Sequence, residues 1–104
     1  MIAVQVPQIV DLVFSAIDEV NQQLPEDRKL HQDVNTILFG ESGNLKSLEL
    51  VSLILIIEEK LEEEFGVLVS LTDERAMSQK RSPFRTVARL VEYLDRSIKE
   101  SANE

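Results

Sequence analysis

Few side chains in this chain could do covalent chemistry, and none of them is a thiol. Cysteine is absent, so the chain has no disulfide, no thiolate metal ligand and no thiol nucleophile. That absence also fits a reducing cytoplasm, which is the expected location. The candidates that remain are Ser47, the single histidine His31 with Asp33 close behind it, and the glutamates Glu58, Glu59, Glu62, Glu63 and Glu64. A serine nucleophile needs a base within hydrogen-bond reach and a third group to orient that base. One histidine in an irregular stretch does not make that arrangement, so neither an enzyme nor a metal site is expected. Ser47 stands where a long loop turns into a helix. There its hydroxyl can accept a free backbone N–H, worth about 1 kcal/mol, and that plain capping role accounts for a serine on position alone.

The elements that would position Ser47 follow from apolar spacing. Val6, Val10, Val13, Ile17, Val20 and Leu24 recur at alternating steps of four and three, the stripe of an amphipathic helix over about 7–24. Pro7 suits its first turn and Pro25 stops it. Between Pro25 and Lys46 the periodicity lapses, leaving a long loop with Leu30, Val34, Ile37, Leu38 and Phe39 as apolar anchors. Leu50, Ile54, Ile57, Leu61 and Phe65 then mark a helix over 47–65, with Gly66 as its natural C-terminal cap. A strand reading of 48–57 fails because Leu and Glu dominate and strict alternation is missing. A short helix is expected over 73–79. A last long helix is expected over 83–99, opened by Ser82 and Pro83 and striped by Phe84, Val87, Val91, Leu94 and Ile98, with a frayed tail over 101–104. Three long helices and one short one make a small all-α bundle, a single domain over 1–104.

Charge and hydropathy narrow the partners. A formal charge of −8 argues against nucleic acid, whose phosphates attract basic surfaces, and favours basic protein partners met in salt-sensitive encounters. The longest apolar run, Leu53 to Ile57, meets Glu58 and Glu59 at once, so no membrane span is expected. The apolar start lacks a basic region and carries Asp11 and Asp18, which makes it a poor secretory signal. A monomer is expected.

The run Leu45, Lys46, Ser47, Leu48, Glu49, Leu50, Val51, Ser52, Leu53 resembles the phosphopantetheine-attachment motif of acyl carrier proteins. In that family a serine opens a helix, usually after Asp, with apolar residues one and four places on. Leu48 and Val51 fill those places, and Phe39 matches an aromatic often found eight residues before the serine. The acidic end of the helix, the Phe65–Gly66 pair and a final helix with Glu92, Tyr93 and Leu94 also fit, so the resemblance covers nearly the whole chain. It implies an acyl-carrier-like four-helix bundle with a long loop between its first two helices. It further implies that a phosphopantetheinyl transferase moves 4′-phosphopantetheine from coenzyme A to Ser47. The arm's thiol would then carry an acyl thioester to acyl-transferring or acyl-modifying enzymes, so that the sulfur comes with the cofactor. The run from Asp73 to Val87 resembles a specialised stand-alone bacterial subgroup, which implies a role such as tailoring a lipid or surface glycan, and four departures separate the chain from the commonest carriers. Lys46 replaces the usual Asp, Ser52 replaces a common acid, the second helix is about one turn longer, and Arg75, Lys80, Arg81 and Arg85 make the following region basic.

On a helical wheel Ser47, Val51, Leu55, Glu58 and Glu62 share an arc beside the core stripe. Lys46, Leu48, Val51, Leu55, Glu58, Glu59 and Glu62 are therefore the expected docking residues, although a solvated helix end and ordinary core packing explain the same residue types. The rival reading is an unmodified helical adaptor that binds a partner through this acidic helix, and Lys46 is the residue that favours it.

Overall fold

The computed structural model describes residues 4–39, 43, 45–68 and 84–102, with the backbone only for Ser47, Ser101 and Ala102. Among these the chain is all-α. Helix α1 spans Val6–Asn21, α2 spans Ser47–Phe65 and α3 spans Val87–Ala102. A single 3₁₀ turn, Glu26–Arg28, follows α1. The only sheet-like pairing among the described residues is one antiparallel bridge between Ile37 and Thr86. The expected helix over 73–79, which includes Arg75, and Lys80, Arg81, Ser82 and Pro83 after it lie outside the described residues.

Helix α1 is the central element and packs against both α2 and α3. Two contacts demand a broad apolar face, and that face is Ile9, Leu12, Val13, Ala16, Ile17 and Val20. The stripe read from valine spacing is therefore rotated at its start: Val10 is half-buried and Val6 is 46% exposed. Spacing alone marks one line of contact, whereas a helix wedged between two others buries residues on both sides of that line. Helix α1 also ends at Asn21, ahead of the expected 24. Pro25 disfavours helical geometry in the residue before it, and the chain tightens first, with Gln23 N–H donating to Val20 O at 2.9 Å and Leu24 N–H to Asn21 O at 3.2 Å. Leu24 still reaches the core.

In α2 the expected stripe is the buried one. Leu50, Ile54, Ile57 and Leu61 are buried, joined by Leu53, and Phe65 packs partly buried at the end. Full burial of each such side chain is worth about 1.5–3 kcal/mol. Gly66 stops the helix in the left-handed region at φ 65°, its N–H donating to Glu62 O at 3.0 Å while Val67 N–H returns to Leu61 O at 3.2 Å.

The described part of the loop between α1 and α2, residues 22–39, 43, 45 and 46, is held as a strap. Asn21 imitates a backbone partner for Leu30: its Nδ2 donates to Leu30 O at 2.9 Å and its Oδ1 accepts Leu30 N–H at 2.8 Å. Leu30 and Leu38 are buried anchors, as is Leu45, while Val34 is exposed at 41%. The strap also explains where α3 begins. The first N–H groups of a helix lack intrahelical acceptors. Here Val87 N–H donates to Thr36 O at 3.1 Å, Ala88 N–H to Val34 O at 2.8 Å and Arg89 N–H to Thr86 Oγ1 at 3.2 Å. That set of acceptors starts the helix at Val87, after the expected 83. Phe84 is buried ahead of it, edge-on to Tyr93 at 6.1 Å. Near the far end of the loop, a Cβ on Gly43 would lie 2.7 Å from Phe39 Cα and 2.9 Å from Leu38 O, so the strap closes on itself where only glycine fits.

Candidate functional site

Ser47 is the first residue of α2, and Lys46 before it is the N-cap, extended at φ −81° and ψ 165°. A lysine ammonium has three donors and no acceptor, so Lys46 cannot cap the helix with its side chain. Glu49 supplies what is missing. Its Oε1 accepts the backbone N–H of Lys46 at 2.8 Å, the return half of a capping box without the other half. The carboxylate of Glu49 is also gripped from the strap: Arg28 Nη1 donates to Oε1 at 2.8 Å and Nη2 to Oε2 at 2.9 Å. A fork of this kind fixes both oxygens in one plane. The two side chains are only 29% and 25% exposed, which shields the pair in part from water. The guanidinium of Arg28, helped by the Lys46 N–H, holds the Glu49 carboxyl below its ordinary range, and the same contact raises Arg28 above its own.

Beyond this start, the outward line of α2 is Leu48, Leu55, Glu59 and Glu62. Leu48 is 82% exposed and Leu55 52%, while Lys46, Ser52, Glu59 and Glu62 are exposed as well. Val51 and Glu58 are half-buried at the margin of that line. The exposed face overlaps the expected arc at Leu55 and Glu62 and is shifted from it towards Leu48. The reason is the core: Leu50, Leu53, Ile54, Ile57 and Leu61 draw the neighbouring Val51 and Glu58 inward. Further along, Lys60 crosses to α1 and meets Glu19 at 2.8 Å, and this hydrogen bond raises the lysine pKa above its ordinary value. A cation inside the glutamate cluster therefore serves the α1–α2 contact.

His31 and Asp33 lie exposed on the strap, and the contacts they make there are local. The His31 carbonyl accepts the Thr36 hydroxyl at 2.9 Å, and Asp33 Oδ1 accepts Asn35 N–H at 2.8 Å in a tight turn. Among the described residues no group of three His, Asp or Glu side chains could hold a metal ion, and no helix is long and apolar enough to cross a membrane. Sequence reading passed over Asn21, Arg28 and Glu49. Glu49 had a signal, since an acid three residues after the residue preceding a helix is the capping-box spacing. Arg28 had none, because only the folded strap brings it to Glu49.

Chemically, the start of α2 offers an exposed lysine, an exposed leucine and a helix N-terminus. A helix N-terminus lacks intrahelical acceptors for its first N–H groups and carries the positive end of the dipole, and both favour an anion. No family model, no curated protein and no solved structure matches this chain.

Proposed function

We propose that this protein is an acyl carrier that holds 4′-phosphopantetheine on Ser47 and presents a thioester-linked acyl group to partner enzymes. The carrying observation is the place of Ser47: it opens α2 next to Leu48, a leucine 82% exposed at a position where the core takes nothing from it. An exposed leucine beside a helix-opening serine, on a line that runs through Leu55 to Glu59 and Glu62, suits docking better than folding. In this reading the fold is a four-helix acyl-carrier-like bundle.

The residues present fit the arm. A phosphodiester on Ser47 would be an anion at a helix N-terminus, next in the chain to the exposed Lys46, and the nearby acid Glu49 is already paired with Arg28. The thiol at the end of the arm supplies the thioester chemistry that a chain without cysteine lacks. In the loading step the Ser47 hydroxyl oxygen bonds to the β-phosphorus of coenzyme A as the pyrophosphate P–O bond breaks. Adenosine 3′,5′-bisphosphate leaves, and the hydroxyl proton passes to the phosphopantetheinyl transferase. The partners are that transferase and enzymes that transfer or modify acyl groups in the cytoplasm, in a specialised lipid or surface-glycan pathway.

The test is intact mass after incubation with coenzyme A and a broad-specificity transferase, with a known carrier alongside. One phosphopantetheine should add, peptide mapping should place it on Ser47, and Ser47→Ala should take up none. No addition while the control loads would favour the unmodified adaptor instead, and addition at Ser52 would overturn the assignment of Ser47.

A further inference from the structure

Arg28 lies far from Ser47 in sequence, yet it is tied to the turn that carries it. We propose that Arg28 and Glu49 are positioning residues that set where α2 begins and so hold Ser47 in the conformation in which it is modified. The proposal rests on the reading of Ser47 as the attachment residue.

The Lys46 side chain offers no acceptor to the first-turn N–H groups, and Glu49 is the acid in the first turn of α2. The N–H of Lys46 is held by Glu49 Oε1 at 2.8 Å, and the first intrahelical bond, Leu50 N–H to Lys46 O, is 2.9 Å. Lys46 is thus pinned through both its N–H and its carbonyl, one residue before Ser47. A glutamate reaching back alone swings on rotatable bonds and competes with water. Arg28 removes that freedom by taking both carboxylate oxygens, at 2.8 and 2.9 Å. Arg28 is itself fixed, since it ends the Glu26–Arg28 turn and its N–H donates to Pro25 O at 2.9 Å. Just beyond it, Leu30 is bonded at both backbone groups to the Asn21 side chain. The start of α2 is therefore referenced to the end of α1 through the strap. Without the fork, the first turn frays and Ser47 moves in and out of helical geometry. A transferase must bring the hydroxyl into line with a phosphorus atom, a step in which even small misplacement is costly.

The experiment compares the parent with Arg28→Ala, Arg28→Lys and Glu49→Gln in two measurements on the full chain. One is amide hydrogen exchange at Leu50 and Val51, with Ile57 and Leu61 as internal references. The other is phosphopantetheine transfer from coenzyme A, resolved into kcat and KM well below the melting temperature. Arg28→Ala should speed exchange at Leu50 and Val51 while leaving Ile57 and Leu61 unchanged. It should also lower kcat/KM about ten- to a hundredfold, the scale expected of a misplaced reacting group. Arg28→Lys keeps the charge but loses the fork, so it should restore only part of the rate. Adding Arg28→Ala to Glu49→Gln should cost little more than either change alone. If the parent loads and Arg28→Ala loads equally well, the positioning role is overturned and the reading of Ser47 stands. A parent that does not load, beside a control that does, overturns both.

Discussion

Lys46 stands immediately before Ser47, exposed, at a helix cap it cannot serve. Lys46→Asp supplies the missing acceptor and replaces a cation with an anion at the positive end of the dipole. It should therefore raise stability by about 0.5–2 kcal/mol in urea melts. On the proposed reading the same change also supplies a carboxylate, an oxygen ligand suited to a Mg²⁺-dependent transferase, so loading by a broad-specificity transferase should quicken. Slower loading in a side-by-side time course would instead make Lys46 a recognition residue for a dedicated transferase. Glu49 gives a second expectation at this scale. Its folded pKa lies below the ordinary value of 4.5, chiefly through the Arg28 hydrogen bond. A lowered pKa means stability that is fully present above 4.5 and is lost as pH falls from there through the folded value. Melts across that range should show a smaller acid-induced loss for Glu49→Gln than for the parent, and equal losses would show that the contact does not survive in solution.

At the scale of elements, α2 carries the most consequence because it holds both the candidate attachment residue and the core seam. Leu61, fully buried one turn before Gly66, tests whether the long C-terminal part of the helix is a packed extension. Leu61→Ala should cost about 2–5 kcal/mol in a denaturant titration, whereas a loss of only a few tenths would mean that the last turn contributes nothing to the core. The apolar stripe of α2 is legible in the sequence, since Leu50, Ile54, Ile57 and Leu61 repeat at helical steps and are buried. The face of α1 is legible only in part. Its outer residue Val6 has the right type and spacing and remains 46% exposed, because α2 and α3 approach α1 elsewhere along its surface.

For the molecule as a whole, a charge of −8 sets how partners arrive. Glu59 and Glu62 line the exposed face of α2, so basic enzymes should be steered towards the end of the helix that follows Leu55. The screening length falls from about 30 Å at 0.01 M salt to about 8 Å at 0.15 M. Loading by a basic transferase should therefore lose kcat/KM as salt rises over that range, with kcat little changed. Replacing Glu59 and Glu62 with Gln should flatten the dependence. A salt response unchanged by that double substitution would place the encounter on another face.

Helix type, the span of α2 and its glycine stop were determined by the sequence itself, because periodicity and caps act within a few residues of one another. The motif around Ser47 is local in the same sense. Tertiary structure decided the rest. Arg28 meets Glu49, Asn21 holds Leu30, and the carbonyls of Val34 and Thr36 set the start of α3. Each of these joins residues distant in the chain, and each relies on a loop conformation that no repeat of apolar residues encodes. A polar side chain in such a loop finds its partner only after the core has brought the helices together, which is why the start of α2 could be located in sequence but its clamp could not.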